Sequence, residues 1–465
     1  EPAAFDGFWT ALAGETAPPG RGESWRALAG AGARYRGVVL AAWGRVRAAF
    51  EIQRHAMIDP SLPPPDWRAL RERWFAIAEA EFIRTQRSDE FLAAQRDVLR
   101  AVLRWRDEIS EPERANLATL RTGTRLAAQL GLDAIRIATT PKDEVWRDGK
   151  AVLSRYRPLG APPTLGPLVI CYGLIGRQTM TDLTPDRSLV RNLLAAGVDV
   201  FALDWGHAGP EDAGHGFDHY ADAQLGRALA AVREASGAAR PVLFGICQGG
   251  VFAACHAARH RASIAGLILA VTPIDFHADR QDADPAHGLL NLWVRSLDEA
   301  DLGGMADAGG NLPGELMSLV FNQLNPVRTI AKYVVELPEA ARDPRALATF
   351  LAMEKWLADR PDLPGALAHD WLIGLYLRNE LTAGRFRMGG VAVELGRIGV
   401  PVLNIHAAAD HIIPASCAQA LARHVAPRLY RELSLPTGHV GVFVSARSQA
   451  LLAPAITGWM RDLAG

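Results

Sequence analysis

A cysteine sits at the centre of the run Gly245-Ile246-Cys247-Gln248-Gly249-Gly250, directly after the apolar stretch Pro241-Val242-Leu243-Phe244. An apolar strand running into such a turn is the pattern of a nucleophile elbow, where the chain bends sharply from strand to helix and lifts one side chain off the sheet. The flanking glycines fit because a Cβ would clash at so tight a bend. A thiol in that place points to acyl transfer through a thioester. Cys247 is expected to open a helix, where the dipole favours negative charge on sulfur. The main-chain N–H of the next residue, Gln248, then points toward a developing oxyanion.

A thiol nucleophile needs a base and a group that orients the base. Val400-Pro401-Val402-Leu403-Asn404-Ile405-His406 reads as a buried strand, with Asp410 in the loop after it. Tyr430-Arg431-Glu432-Leu433-Ser434-Leu435 alternates as a last strand, and His439 stands in the following loop, Thr437-Gly438-His439-Val440-Gly441. An Asp after a strand also serves as a helix cap, and a His among glycines as a plain loop residue. Their joint placement at the carboxyl ends of successive strands favours chemistry. The order Cys, Asp, His along the chain is that of α/β-hydrolases. His411 is read as shaping the site or as solvated, and His406, inside its strand, as a core histidine.

The elements that must position these groups alternate as a parallel sheet requires. Strands are expected at Pro167–Tyr172, Val198–Leu203, the elbow strand, and Gly266–Val271. The loop Gly173-Leu174-Ile175-Gly176-Arg177 follows the first of them and should supply the second oxyanion donor, from the main-chain N–H of Leu174 or Ile175. From about residue 277 to 387 the strand pattern lapses. This insertion reads as a cap, with Gly303-Gly304 and Gly309-Gly310 as hinge candidates and a rigid excursion as the alternative. Ahead of the hydrolase part, residues 67–78 and 91–103 space apolar side chains at helical intervals. The domain reading is a helical amino-terminal domain over 1–140 and a catalytic domain with its cap over 141–465.

The chain resembles the polyhydroxyalkanoate synthases. The resemblance runs from Pro141-Lys142-Asp143-Glu144-Val145-Trp146 through Leu153-Ser154-Arg155-Tyr156-Arg157-Pro158 and the long block Met180–Arg191. Asp204-Trp205-Gly206, the Cys247 box, Thr272–Phe276, Met353-Glu354-Lys355-Trp356, Asp410-His411 and Gly438-His439-Val440-Gly441 complete it. The Gly-Ile-Cys-Gln-Gly-Gly form is most similar to the two-component, class III synthases that take short-chain monomers. The resemblance implies polymerisation of 3-hydroxyacyl-CoA into polyester, with Cys247, Asp410 and His439 catalytic. Asp410 would either orient His439 or activate the incoming hydroxyl. It also implies a cytoplasmic, homodimeric enzyme at polyhydroxyalkanoate granules, with coenzyme A as leaving group and no cofactor or metal. In that group a separate, mostly helical protein activates the catalytic chain. Here the long amino-terminal region resembles that protein, so either the role is fused into this chain or an accessory subunit is still needed.

Composition agrees. The 465 residues are 49% hydrophobic and 22% charged, enough core material for two or three soluble domains. A net charge of -1 excludes a dedicated nucleic-acid binder, and no uninterrupted apolar stretch would span a membrane. The chain opens on Glu1, without an initiator Met or a basic, apolar start, and its numbering reads as that of a trimmed chain. The four cysteines, Cys171, Cys247, Cys255 and Cys417, lack metal-ligand spacing, and a working thiol among them suits a reducing compartment. Cys171 and Cys255 are read as small core residues. Two competing functions remain at this stage: a thioester or polyester hydrolase of the same fold, and a catalytically silent granule scaffold. The cysteine in place of serine disfavours the first, and the intact set of three residues the second.

Overall fold

The computed structural model of the chain describes residues 22–57, 66–108, 132–306 and 310–464. The amino-terminal part of it is helical: α1 (Gly22–Met57), α2 (Trp67–Gln86) and α3 (Asp89–Glu108). In α1 the buried residues Leu28, Ala31, Tyr35, Ala42 and Val46 fall on one helical stripe. Trp43 stacks on Trp74 of α2 at 5.4 Å, and Arg45 of α1 reaches Glu81 and Thr85 of α2 at 2.5 and 3.0 Å. The remainder of the expected 1–140 domain, residues 1–21, 58–65 and 109–131, lies outside the described residues, and Leu132–Ala134 form a single 3-10 turn.

The catalytic part follows as β1 (Lys142–Asp148), β2 (Ala151–Tyr156), β3 (Leu165–Cys171), α4 (Leu189–Ala195), β4 (Val198–Asp204), α5 (Leu225–Ser236), β5 (Val242–Ile246), α6 (Gln248–Arg259) and β6 (Gly266–Ala270). An excursion then carries α7 (Leu289–Arg295), α8 (Glu299–Ala306), α9 (Gly314–Leu324), α10 (Pro326–Ala331) and α11 (Pro344–Ala358). The chain returns as β7 (Val402–Ala407), β8 (Tyr430–Leu435) and α12 (Ala446–Ala464). The eight strands form one sheet in the order β1-β2-β4-β3-β5-β6-β7-β8, in which β2 runs antiparallel to its neighbours and the others are parallel. This is the α/β-hydrolase architecture expected from the strand-helix alternation.

The inner strands are buried on both faces, as a parallel sheet requires. Val169, Cys171 and Leu243 face the core built with Leu225, Leu229 and Val232 of α5 and Val251–Ala258 of α6. Leu168, Ile170 and Phe244 face the other way, onto Leu193 of α4 and Leu452, Ile456 and Trp459 of α12. The β1–β2 hairpin was not expected as strands. Lys142, Asp143, Glu144, Arg147 and Asp148 make β1 read as loop, yet they suit an edge strand that keeps mostly exposed or half-buried side chains.

Between β6 and β7 no described residue joins the main sheet; the short strands there, such as Asn311–Leu312 with Leu363–Pro364, pair only with each other. The glycine hinges are corrected in part. Gly303 and Gly304 lie inside α8, and a Cβ on Gly304 would stand 3.1 Å from Leu103 of α3. Gly304 therefore stands close to α3 while Gly303 has open space around it, and both lie within a helix rather than at a hinge. Gly310 has φ +89, and Gly309 falls outside the described residues. The amino-terminal helices rest on this excursion. Arg100 pairs with Asp301 at 2.6 Å and Asp298 at 2.8 Å, Arg87 donates to the carbonyls of Pro285 and His287 at 2.7 Å, and Tyr35 donates to Gln323 at 3.1 Å. Val327 of α10 closes the apolar cluster of Ala42, Val46, Ala78 and Phe82.

Candidate active site

Cys247 is the residue between β5 and α6, with φ 53 and ψ -122, a backbone conformation that side chains rarely adopt. The surroundings hold it there. Its N–H donates to the Ala270 carbonyl at 2.9 Å, and its own carbonyl accepts from Gly250 at 3.0 Å. Gly249 must lack a side chain, because a Cβ would stand 2.3 Å from the Cys171 carbonyl oxygen. The elbow thus sits against the end of β3, leaving Cys247 half-buried at the start of α6.

Asp410 and His439 reach this point from the loops after β7 and β8. Those loops are joined to each other, the Ala409 N–H donating to the Thr437 carbonyl at 3.0 Å. Asp410 is fully buried, and its Oδ1 accepts the N–H groups of Ile412 and Ile413, each at 2.9 Å. Its Oδ2 stands 2.7 Å from His439 Nδ1. A carboxylate can only accept here, so Nδ1 carries the hydrogen and Nε2 is left toward the sulfur. Burial opposes charge on the His439 ring, but Asp410 and then Cys247, through charge and a side-chain hydrogen bond from each, outweigh it and hold the imidazole well above its ordinary value. An imidazole so placed retains a proton taken from the thiol.

The loop after β3 comes alongside. Leu174 donates its N–H to Gln248 Oε1 at 2.8 Å, so one of the two candidate donors is already engaged. The Ile175 carbonyl accepts from Arg360 Nη1, while Arg360 Nε donates to Ser318 at 2.8 Å and its guanidinium lies over the Phe321 ring. Burial pulls Arg360 down to about 10, with Tyr172 and Cys247 pulling the other way, so it is a cation at neutral pH. Tyr376 is also buried; desolvation pushes its phenol far up, the charges of Cys247, Cys417, Asp279 and Asp410 adding to the shift, which keeps it protonated.

Sequence reasoning missed Arg360, Tyr376 and the side chain of Gln248. None carries a local motif, and only the glutamine adjoined a residue already singled out. His406, by contrast, lies in β7 with Nε2 2.5 Å from Glu432, a core position facing a strand neighbour. His411 is half-buried beside the site, and burial pushes its ring below the ordinary value. Burial also raises the three other thiols, Cys417 to about 12 and Cys171 and Cys255 further still, so they stay protonated and inert.

The remaining motif residues build supports. Buried Asp182 accepts from Thr140 and Ser188 at 2.7 and 2.5 Å, and Trp205 donates to the Tyr172 carbonyl at 2.7 Å, bracing the loop after β3. Glu354 is paired with Lys332 at 2.8 Å and Tyr333 at 2.6 Å, and Trp356 donates to the Arg177 carbonyl at 2.9 Å. Trp356 thereby ties α11 to the loop that carries Leu174 and Ile175.

Residues 166–446 match a family model described as alpha/beta hydrolase fold. Among curated proteins the chain is similar to the poly(3-hydroxyalkanoate) polymerase subunit PhaC of Thiocystis violacea, 35% identical over 345 residues that cover 74% of this chain and 94% of the relative. The subunit of the same name from Allochromatium vinosum is 36% identical over 344 residues, with 74% and 94% covered. That of Synechocystis sp. is 33% identical over 334 residues, with 72% and 87% covered.

Proposed function

This chain belongs to the poly(3-hydroxyalkanoate) polymerases, built on the alpha/beta hydrolase fold, and from that premise we propose that Cys247, His439 and Asp410 carry the polymerisation of 3-hydroxyacyl-CoA. The observation that supports this most directly is the buried Asp410–His439 bond of 2.7 Å beside the elbow thiol. His439 Nε2 takes the Cys247 proton, and the thiolate attacks the thioester carbonyl. The oxyanion is met by the N–H groups of Gln248 and Ile175, Leu174 being engaged elsewhere. The intermediate collapses with loss of CoA thiolate, which takes the proton from the imidazolium, leaving an acyl thioester on Cys247.

His439, neutral again, then removes the proton from the 3-hydroxyl of a second acyl group, and the oxygen attacks the thioester. The thiolate of Cys247 is released as the new ester forms and recovers the pair with the imidazolium. The exchange of CoA thioester for enzyme thioester is nearly isoenergetic, and formation of the oxygen ester drives elongation. Asp410 acts as the orienting group in this scheme. Both of its oxygens are occupied and it has no exposed surface, so a substrate hydroxyl is reached through His439 rather than by the carboxylate itself.

The finer points of the reading rest on the resemblance. Monomers are short-chain, as in 3-hydroxybutyryl-CoA; the enzyme works as a homodimer at the granule surface in the cytoplasm and needs no bound cofactor, CoA being its leaving group. The amino-terminal helices, resting on the excursion through Arg100 and Asp301, take the place of the accessory protein. Incubating the purified chain alone with 3-hydroxybutyryl-CoA, while following free CoA and turbidity, tests the polymerase activity and whether the chain acts without a partner. Release of CoA with turbidity is expected. Release that leaves only soluble hydroxy acid would make the chain a thioester hydrolase, and no release would mean that a partner is missing or that the chain is a silent scaffold.

A further inference from the structure

At the far end of the nucleophile helix, away from the thiol, a second group of ligating side chains comes together. His256 lies in the last turn of α6, and His260, four residues on, caps that helix, so both side chains come to the same end of it. Asp222 faces them from the π-helical turn His219–Gln224 that precedes α5. One ligand atom from each of the three lies within 4.8 Å of the others. Asp222 Oδ1 already contacts His260 Nε2, and the two imidazole rings stand 4.6 Å apart.

His256 decides what this cluster is for. Its Nδ1 lies 2.9 Å from the Ala221 carbonyl, which can only accept, so in the neutral ring Nδ1 carries the hydrogen and Nε2 is a bare lone pair. That residue is 2% exposed, yet Nε2 has no hydrogen-bond partner. A buried acceptor without a donor costs free energy unless something occupies it. A ring nitrogen that ligates a metal has this arrangement: the opposite N–H is fixed by a main-chain carbonyl, and the lone pair faces the ion.

We infer that Asp222, His256 and His260 form a binding site for a late first-row divalent cation of the Zn2+ or Ni2+ type. Two imidazoles and one carboxylate are the donor set such ions take. Bonds of about 2.0–2.1 Å put the ligand atoms of a tetrahedral ion about 3.3 Å apart, so the pair needs a small adjustment around His256 in which the Asp222–His260 contact opens slightly. The side chains of His260 and Asp222, 42% and 25% exposed, can make it, while His256 stays fixed. Their exposure leaves the fourth position to water. The ion would join the last turn of α6 to the segment before α5, bracing from below the helix whose first turn presents Cys247. His256 follows Cys247 by nine residues, a rise of about 14 Å along α6, so the ion takes no part in acyl transfer.

The test uses the full chain carrying Cys247→Ala, which removes the half-buried thiol as a competing ligand, after stripping with a chelator. Calorimetric titration with Zn2+ is expected to show one ion per chain and a melting temperature that rises with it. His260→Ala and the near-isosteric Asp222→Asn should each weaken the affinity at least about tenfold. Should His260→Ala fail to fold by circular dichroism, Asp222→Asn alone carries the comparison. Absence of saturable binding, or equal affinity in the folded variants, overturns the site. Because the readout is ion binding in a chain without its nucleophile, the result is independent of the polymerase chemistry.

Discussion

The main-chain N–H of Leu174 donates to the side-chain oxygen of Gln248 across 2.8 Å, fastening the loop after β3 to the residue that follows the thiol. The side chain of Gln248 thus holds the loop that carries Leu174, while its own N–H is the first proposed oxyanion donor. Gln248→Leu keeps the volume but orphans a buried N–H, at a cost of about 1–3 kcal/mol. Turnover should fall about tenfold or more as the oxyanion donors shift. Urea unfolding together with kcat checks both parts; an unchanged kcat would remove the bond from the catalytic account.

Cys247→Ala should lose CoA release by a factor on the order of 10⁴ or more, with the far-UV spectrum and unfolding midpoint close to the parent. Mass spectrometry after exposure to substrate should find the acyl adduct on the parent chain and none on the variant. Normal turnover by the variant would end the nucleophile assignment.

Asp410→Asn replaces an oxygen that accepts from His439 Nδ1 with a group of either orientation, so the imidazole loses the fixed tautomer. CoA release in the first turnover and chain elongation should fall together, each on the order of 10³- to 10⁴-fold. Single-turnover acylation measured beside polymer yield separates the alternatives. Acylation preserved while elongation stops would assign the carboxylate to the hydroxyl instead.

The raised imidazole of His439 links stability to pH with a definite sign. The folded chain binds that proton more tightly than the unfolded chain, whose histidines titrate near about 6.5. The stabilisation is complete below that value and is lost as pH rises through the raised folded value. Denaturant midpoints at pH 6 and pH 9 should therefore drop more for the parent than for Asp410→Asn, in which the principal partner charge is gone. Equal drops would contradict the pairing.

Arg360 donates to the Ile175 carbonyl and to Ser318, so it holds the peptide that follows the residue whose own N–H is the proposed second donor. Arg360→Ala should lower kcat about tenfold and leave KM and the melting temperature little changed. Partial rescue of kcat by added guanidinium, with no effect on the parent, would distinguish this positioning from a general packing defect.

The parts of the site that were legible in the sequence are those written in consecutive residues. The Cys247 elbow announces itself because glycine at 249 is the only residue that clears the Cys171 carbonyl, and Asp410 and His439 follow strands whose apolar runs are continuous. The β1 strand was hidden because an edge strand keeps its charges, and its composition is that of a loop. Gly303 and Gly304 suggested a hinge, yet both lie within α8, and a side chain at Gly304 would crowd Leu103, two hundred residues away in sequence. Arg360 and Tyr376 lay in the excursion, where irregular helices give no periodic signal that connects a residue to the thiol. Contacts made across such distances depend on the finished fold.

The long helix α1 gives the excursion a mechanical reach. At 1.5 Å per residue its 36 residues form a rod of about 54 Å. The rod is clamped near its middle, where Tyr35 meets Gln323 and Val46 shares a cluster with Val327. Leu28 and Ala31 of α1 also pack with Ala101 of α3, so a displacement of the excursion would be carried by the amino-terminal helices as a group rather than by α1 alone.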